Sequence, residues 1–221
     1  MDAATLQAKL YAGYGKAAAV MGSDFQLYRP NGPNSPLAPG NLVRTVKMAL
    51  DSEANYQFQH PNEYGDATWY ALTDGSVLQP GDYFRNGQGT FFVAGMQPLL
   101  PVLIVECTRL IRIVRQQSRQ QVGAVGYGGI QTANELDVLG SADPATHWPA
   151  SVLLGGGGSI PNLGLPGSTP AASRRVLLPP SVPVNLFAGD IIMDDLGRRL
   201  SIIAPELTEL GWRINVAEIH A

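Results

Sequence analysis

Three histidines, a lone cysteine and one adjacent pair of aspartates are the first residues to test for chemistry in this 221-residue chain. His60 lies in Gln59-His60-Pro61, His147 in Thr146-His147-Trp148-Pro149, and His220 next to the C-terminus. None has a second histidine at the i, i+4 spacing that puts two ligands on one helix face, and a single cysteine, Cys107, builds neither a zinc site nor a disulfide framework. Cys107 sits in an apolar stretch, where a small core residue is expected. Asp194 and Asp195 are neighbours, and neighbours on a strand point to opposite faces, so they do not share a metal. The glycines from Gly123 to Gly129 lack the lysine and the strand-then-helix setting of a phosphate cradle. No serine occupies a Gly-x-Ser-x-Gly elbow. The expectation is a chain with no catalytic residue, no cofactor and no metal.

The elements around these residues are short. Residues 2–21 form the clearest helix: Leu6, Leu10, Tyr14 and Ala17 recur at spacings of four, four and three, placing them on one face, and Gly22 terminates the run. Leu6, Leu10 and Tyr14 are therefore candidate interface residues, seated in a groove of this chain or of a neighbouring subunit. Beyond Gly22, apolar runs around Phe25-Leu27, Val43–Ala49, Ala67–Leu72, Tyr83-Phe84 and Phe91–Val93 alternate with proline- and glycine-rich turns. Strands at such spacing predict a sandwich or barrel. The glutamine- and glycine-rich stretch 116–130 marks a module boundary, and 155–170 a loop within the second module.

The two halves share a pattern. Gly81-Asp82 recurs as Gly189-Asp190, Gly89 as Gly197, and Leu78 and Leu99 as Leu186 and Leu207, each 108 positions on. Two apolar residues follow each Gly-Asp, then a polar turn, then another apolar run. This predicts a repeated hairpin in which Gly-Asp makes the entry turn and Gly89 or Gly197 supplies positive φ. The fold expected is mainly β: two small barrel or sandwich modules related by an internal repeat, residues 23–118 and 119–221, behind an N-terminal helix at 1–22.

The stretches Gly81–Pro101 and Gly189–Arg199 resemble the "gly-asp, apolar pair, short turn, apolar run" hairpin of tailed-phage neck, tail and baseplate proteins, where it belongs to a small barrel. The resemblance covers only these residues and carries no catalytic motif. It implies a virion structural component that joins a ring or tube at the head–tail neck or the tail hub, contacting other virion proteins and copies of itself, and residing in the host cytoplasm before assembly.

Composition agrees with such a role. Charged residues are only 15% of the chain against 45% hydrophobic, as on a protein largely covered by partners, and disorder needs the opposite balance. With 15 basic and 18 acidic residues the net charge is −3, so no general attraction to nucleic acid is expected. Arg109, Arg112, Arg115 and Arg119 are read as the solvated edge of a strand. The N-terminus has no secretion-signal pattern, and the most apolar stretch, Phe91–Val105, is too short and too broken by prolines to cross a membrane. Two other functions remain open: a carbohydrate- or ligand-binding β module stacking on Trp69, Tyr70, Trp148 and Trp212, and a hydrolase assembled from separate loops.

Overall fold

The computed structural model describes residues 2–53, 65–117, 134–155 and 173–219. Helix α1 (Ala3–Met21) leads into strands β1 (Ser23–Tyr28), β2 (Leu42–Asp51), β3 (Thr68–Leu72), β4 (Tyr83–Arg85), β5 (Thr90–Gly95) and β6 (Val102–Glu106). These close an antiparallel barrel in the order β1-β2-β3-β6-β5-β4. The chain continues as β7 (Arg109–Gln117), β8 (Asn134–Leu139), β9 (Trp148–Leu154), β10 (Ser173–Leu178), β11 (Ile191–Asp194), β12 (Arg199–Thr208) and β13 (Gly211–Ile219). The order β11-β12-β13-β10-β9-β7, with β11 also pairing β7, closes a second barrel of six strands, and β8 hangs on β7 as an extra hairpin arm.

Strand by strand the barrels have one topology, with β7, β9, β10, β11, β12 and β13 standing for β1 to β6. Register makes the match residue-specific. A bulge interrupts β5–β6 between Val93 and Gly95, and one interrupts β12–β13 between Ile202 and Ala204. Glu106 faces Phe91 and receives the Trp69 indole N–H at 3.0 Å; at the equivalent positions Glu218 faces Leu200 and receives Arg174 at 3.2 Å. The module boundary lies earlier than 118/119. β7 belongs to the second barrel, so the chain crosses at Cys107-Thr108, and Cys107 is half-buried there. Residues 118–133, 54–64 and 156–172, which include most of both low-complexity stretches, lie outside the described residues.

Strands β4 and β5 of the first barrel are buried on both faces, which explains their continuous apolar runs, whereas β1 and β2 keep exposed outward positions. Strand side chains alternate between faces, so Phe25, Leu27, Phe84, Phe91, Val93, Val102 and Ile104 fill its interior. Tyr28, Tyr83, Phe92, Ala94 and Val105 point outward into a core continuous with that of the second barrel. Trp148, wholly buried, meets Tyr83 edge-to-face at 6.2 Å and donates its indole N–H to the Pro33 carbonyl at 2.8 Å. The Tyr83 hydroxyl donates to the Pro149 carbonyl at 2.9 Å, and the Ser181 hydroxyl to the Gly81 carbonyl at 2.8 Å. Burial pushes the Tyr83 phenol well above its ordinary pKa, so it stays a hydrogen-bond donor.

Candidate functional site

The repeated Gly-Asp builds a buried ion-pair clamp rather than only a turn. Arg29, just past β1, donates from Nε and Nη2 to both carboxylate oxygens of Asp82 (2.9 and 2.8 Å) and from Nη2 to the Val77 carbonyl (3.0 Å). Arg115 on β7 does the same to Asp190 (2.7 and 2.8 Å) and to the Asn185 carbonyl (3.0 Å). Each aspartate also accepts a backbone N–H at 2.9 Å, from Gln79 and from Phe187. The hydrogen bond to each aspartate is the main cause that raises the pKa of its arginine. Planar forks of this kind fix direction as well as charge. Both clamps tie β1 to β4, or β7 to β11, at the pairing that closes the barrel.

Gly81 and Gly189 hold φ of 93° and 91°, which lets the next N–H turn inward. The second glycine pair is not equivalent. Gly197 has φ 78°, whereas Gly89 is not in the left-handed region, because the second turn holds one more residue. Asn86 accepts from the N–H of Gln88 and Gly89, and Asp194 from the N–H of Leu196 and Arg198, so Gly89 corresponds to Arg198. Leu99 and Leu207 therefore fall out of step: Leu99 is a loop residue at φ 64°, and Leu207 lies within β12. The arginine cluster is also not a uniform solvated edge. Arg115 is a clamp residue that stacks 4.5 Å over the Phe187 ring, and Arg112 pairs with Asp137 at 3.6 Å; Arg119 lies outside the described residues.

Helix α1 docks on its own first barrel, but through a face rotated from the expected one. Gln7 accepts the Leu99 N–H at 2.7 Å, Tyr11 lies on Gly75, Gly15 lies against Asp74, and Ala18 is the one buried residue of the helix. Leu6 is 40% exposed, and Leu10 and Tyr14 are half-buried on the flank of that contact. Val20 and Met21 continue the uncovered side at 89% and 55% exposure. A second apolar surface runs along the outer half of β12, where Ile203 and Leu207 are exposed, and reaches Leu210. Leu210 borders a cleft of about 450 Å³ between the barrels, walled by Phe92, Ala94, Leu103, Leu178 and Trp212.

For catalysis the described residues offer little convergence. Among them no group of three or more His, Cys, Asp or Glu is placed to hold a metal. His147 lies within 3.2 Å of the Ser141 carbonyl in a loop, and His60 and His220 lie outside the described residues. Asp194 accepts from Arg198 through both backbone and guanidinium, a local turn role. The stacking residues expected of a sugar site do not form a platform: Trp148 and Trp212 are buried, and Trp69 and Tyr70 half-buried. Among the described residues no helix is long and apolar enough to cross a membrane. No protein-family model matches this chain, and neither a curated protein nor a solved structure matches it.

Proposed function

We propose that this chain is a structural assembly component of a tailed-phage virion, joining a ring or tube at the head–tail neck or at the tail hub or baseplate. It works through protein–protein contacts with copies of itself and other virion proteins, and carries out no catalysis. The observation that carries this reading is the contrast between a locked interior and an uncovered exterior. Two clamped barrels share a continuous core, while apolar side chains on α1 and β12 face outward. Contact residues mounted on rigid elements suit repeated docking better than a mobile active site. The phage assignment itself rests on the hairpin resemblance at Gly81–Pro101 and Gly189–Arg199.

Antibody labelling of purified particles in the electron microscope, with proteomics of the same particles, tests this directly. Label at the neck or tail end in stoichiometric copies is the expected result; a protein left wholly in the soluble lysate would overturn it. The cleft of about 450 Å³ between the barrels favours one second reading, a ligand-binding β module, because its volume falls in the range of small-molecule sites. Saturable binding in a screen of apolar ligands and sugars, by a chain absent from particles, would decide for that alternative.

A further inference from the structure

The uncovered flank of α1 has a regular pattern. Ala3, Leu6, Leu10, Gly13, Ala17 and Val20 follow one another at spacings of three, four, three, four and three. This is the seam of a helix that packs against another helix. It is distinct from the face that docks α1 on its own barrel, which uses Gln7, Tyr11, Gly15 and Ala18. Along the seam Ala3, Leu6, Gly13 and Val20 are exposed, and Leu10 and Ala17 half-buried.

Gly13 is the informative member. A glycine inside a helix lowers stability relative to alanine. Among the described residues nothing requires it, because a Cβ added there would meet none of their atoms within 4 Å. The neighbouring Gly15 differs, since its Cβ would press on Asp74. A helix crossing closely at Gly13 supplies the missing reason.

The side-chain sizes say which helix. Laid antiparallel on a second copy of itself about a two-fold axis, the stripe pairs Leu10 with Gly13, Leu6 with Ala17, and Ala3 with Val20. Every layer then sets a larger side chain against a smaller one, as interdigitation requires. A parallel copy would set Leu10 against Leu10 and Gly13 against Gly13, leaving a gap beside a crowd. We propose that α1 pairs with α1 of a second copy, antiparallel, through Ala3, Leu6, Leu10, Gly13, Ala17 and Val20. The contact is isologous, the same patch on both partners.

The area sets the strength. A 19-residue helix is about 28 Å long, and one helix–helix stripe of that length falls at the low end of specific interfaces, below about 1,200 Å². The pair is therefore weak. It serves as one contact among several in a larger assembly, and in that sense the inference rests on the assembly reading.

Sedimentation velocity across a concentration series, on the full chain, provides the test. The wild type is expected to shift from monomer to dimer. Gly13→Gln, whose Cβ meets no atom of the described residues within 4 Å, is expected to raise the melting temperature yet weaken the dimer about tenfold or more. Leu6→Glu is expected to weaken the dimer with the fold unchanged. In a Cys107→Ala background, a mixture of the Leu10→Cys and Gly13→Cys chains should form the mixed disulfide in preference to either homodimer. A wild type that stays monomeric, a Gly13→Gln chain that dimerises as before, or preferential Leu10→Cys self-linkage overturns the pairing. A monomeric chain found at the neck of particles removes the pairing and leaves the assembly reading; a dimer absent from particles does the reverse.

Discussion

Asp190 occupies in the second barrel the place that Asp82 occupies in the first: each is all but buried, held by the Nε and Nη2 of one guanidinium and by one backbone N–H. The carboxylate is the dehydrated partner, whereas the arginines keep about a third of their side-chain surface, 36% and 33%. Removing the arginine would therefore strand a buried charge and a carbonyl, and removing the aspartate would strand a backbone N–H and a partly wet cation.

Replacing either aspartate by alanine is expected to cost about 3 kcal/mol, and Arg29→Lys or Arg115→Lys less, about 1–2 kcal/mol, because one prong of the fork survives. Urea unfolding of the four variants checks this. Equal costs at the two barrels are the expected signature of equivalence, and an Asp82→Ala chain as stable as the wild type would remove the clamp from the account.

Gly81 and Gly189 share a backbone conformation but not their surroundings. A Cβ at Gly189 meets nothing, while one at Gly81 runs into Ser181 across the seam between the barrels. Gly189→Ala is accordingly expected to cost only the strain of a left-handed alanine, about 1–2 kcal/mol, and Gly81→Ala about 3–4 kcal/mol. The comparison needs only melting curves; a Gly189→Ala chain that suffers more than Gly81→Ala would contradict the seam packing.

Tyr83 is a probe of the seam in alkaline solution. Its folded pKa lies above the ordinary value near 10, so the unfolded chain releases this proton first as pH rises. Stability is thus fully present below about pH 10 and falls above it, and Tyr83→Phe should remove that part of the slope. At neutral pH the same variant should cost about 1–1.5 kcal/mol, since the Pro149 carbonyl loses its donor.

Gly75→Val tests how α1 is held. Any side chain there drives into the Tyr11 ring, so the helix should undock while both barrels stay folded. Faster proteolytic cleavage within residues 3–21, with an unchanged melting temperature for the remainder, is the expected outcome. Wholesale unfolding would show instead that the barrel depends on its helix.

Much of this architecture was legible in the residues. Alternating apolar runs between turns gave the strands, and the recurrence of Gly-Asp gave the duplication, because a left-handed glycine and a buried carboxylate tolerate few replacements. The partners of those aspartates were not legible. Arg29 and Arg115 are 86 positions apart, not 108, since the stretch between β1 and β4 differs in length from that between β7 and β11. Spacing from the Gly-Asp alone could not find them. A search for arginines one residue beyond equivalent strand positions could have, since Tyr28 faces Tyr83 as Val114 faces Ile191. The helix face was misjudged for a related reason. Its strongest apolar stripe is not the one its own barrel takes, because Gly75 and Asp74 offer a shallow seat that suits Tyr11 and Gly15 better than leucines.

Only Cys107 and Thr108 separate the last strand of one barrel from the first strand of the next. A two-residue link spans at most about 7 Å, so it stores no slack. Tension applied between the barrels would pass from β6 into β7 at once and load the Tyr83–Pro149 and Ser181–Gly81 hydrogen bonds together. Mechanically the chain is a strut rather than two beads on a string: pulled or twisted, it should yield in one step at high force, without first swinging open.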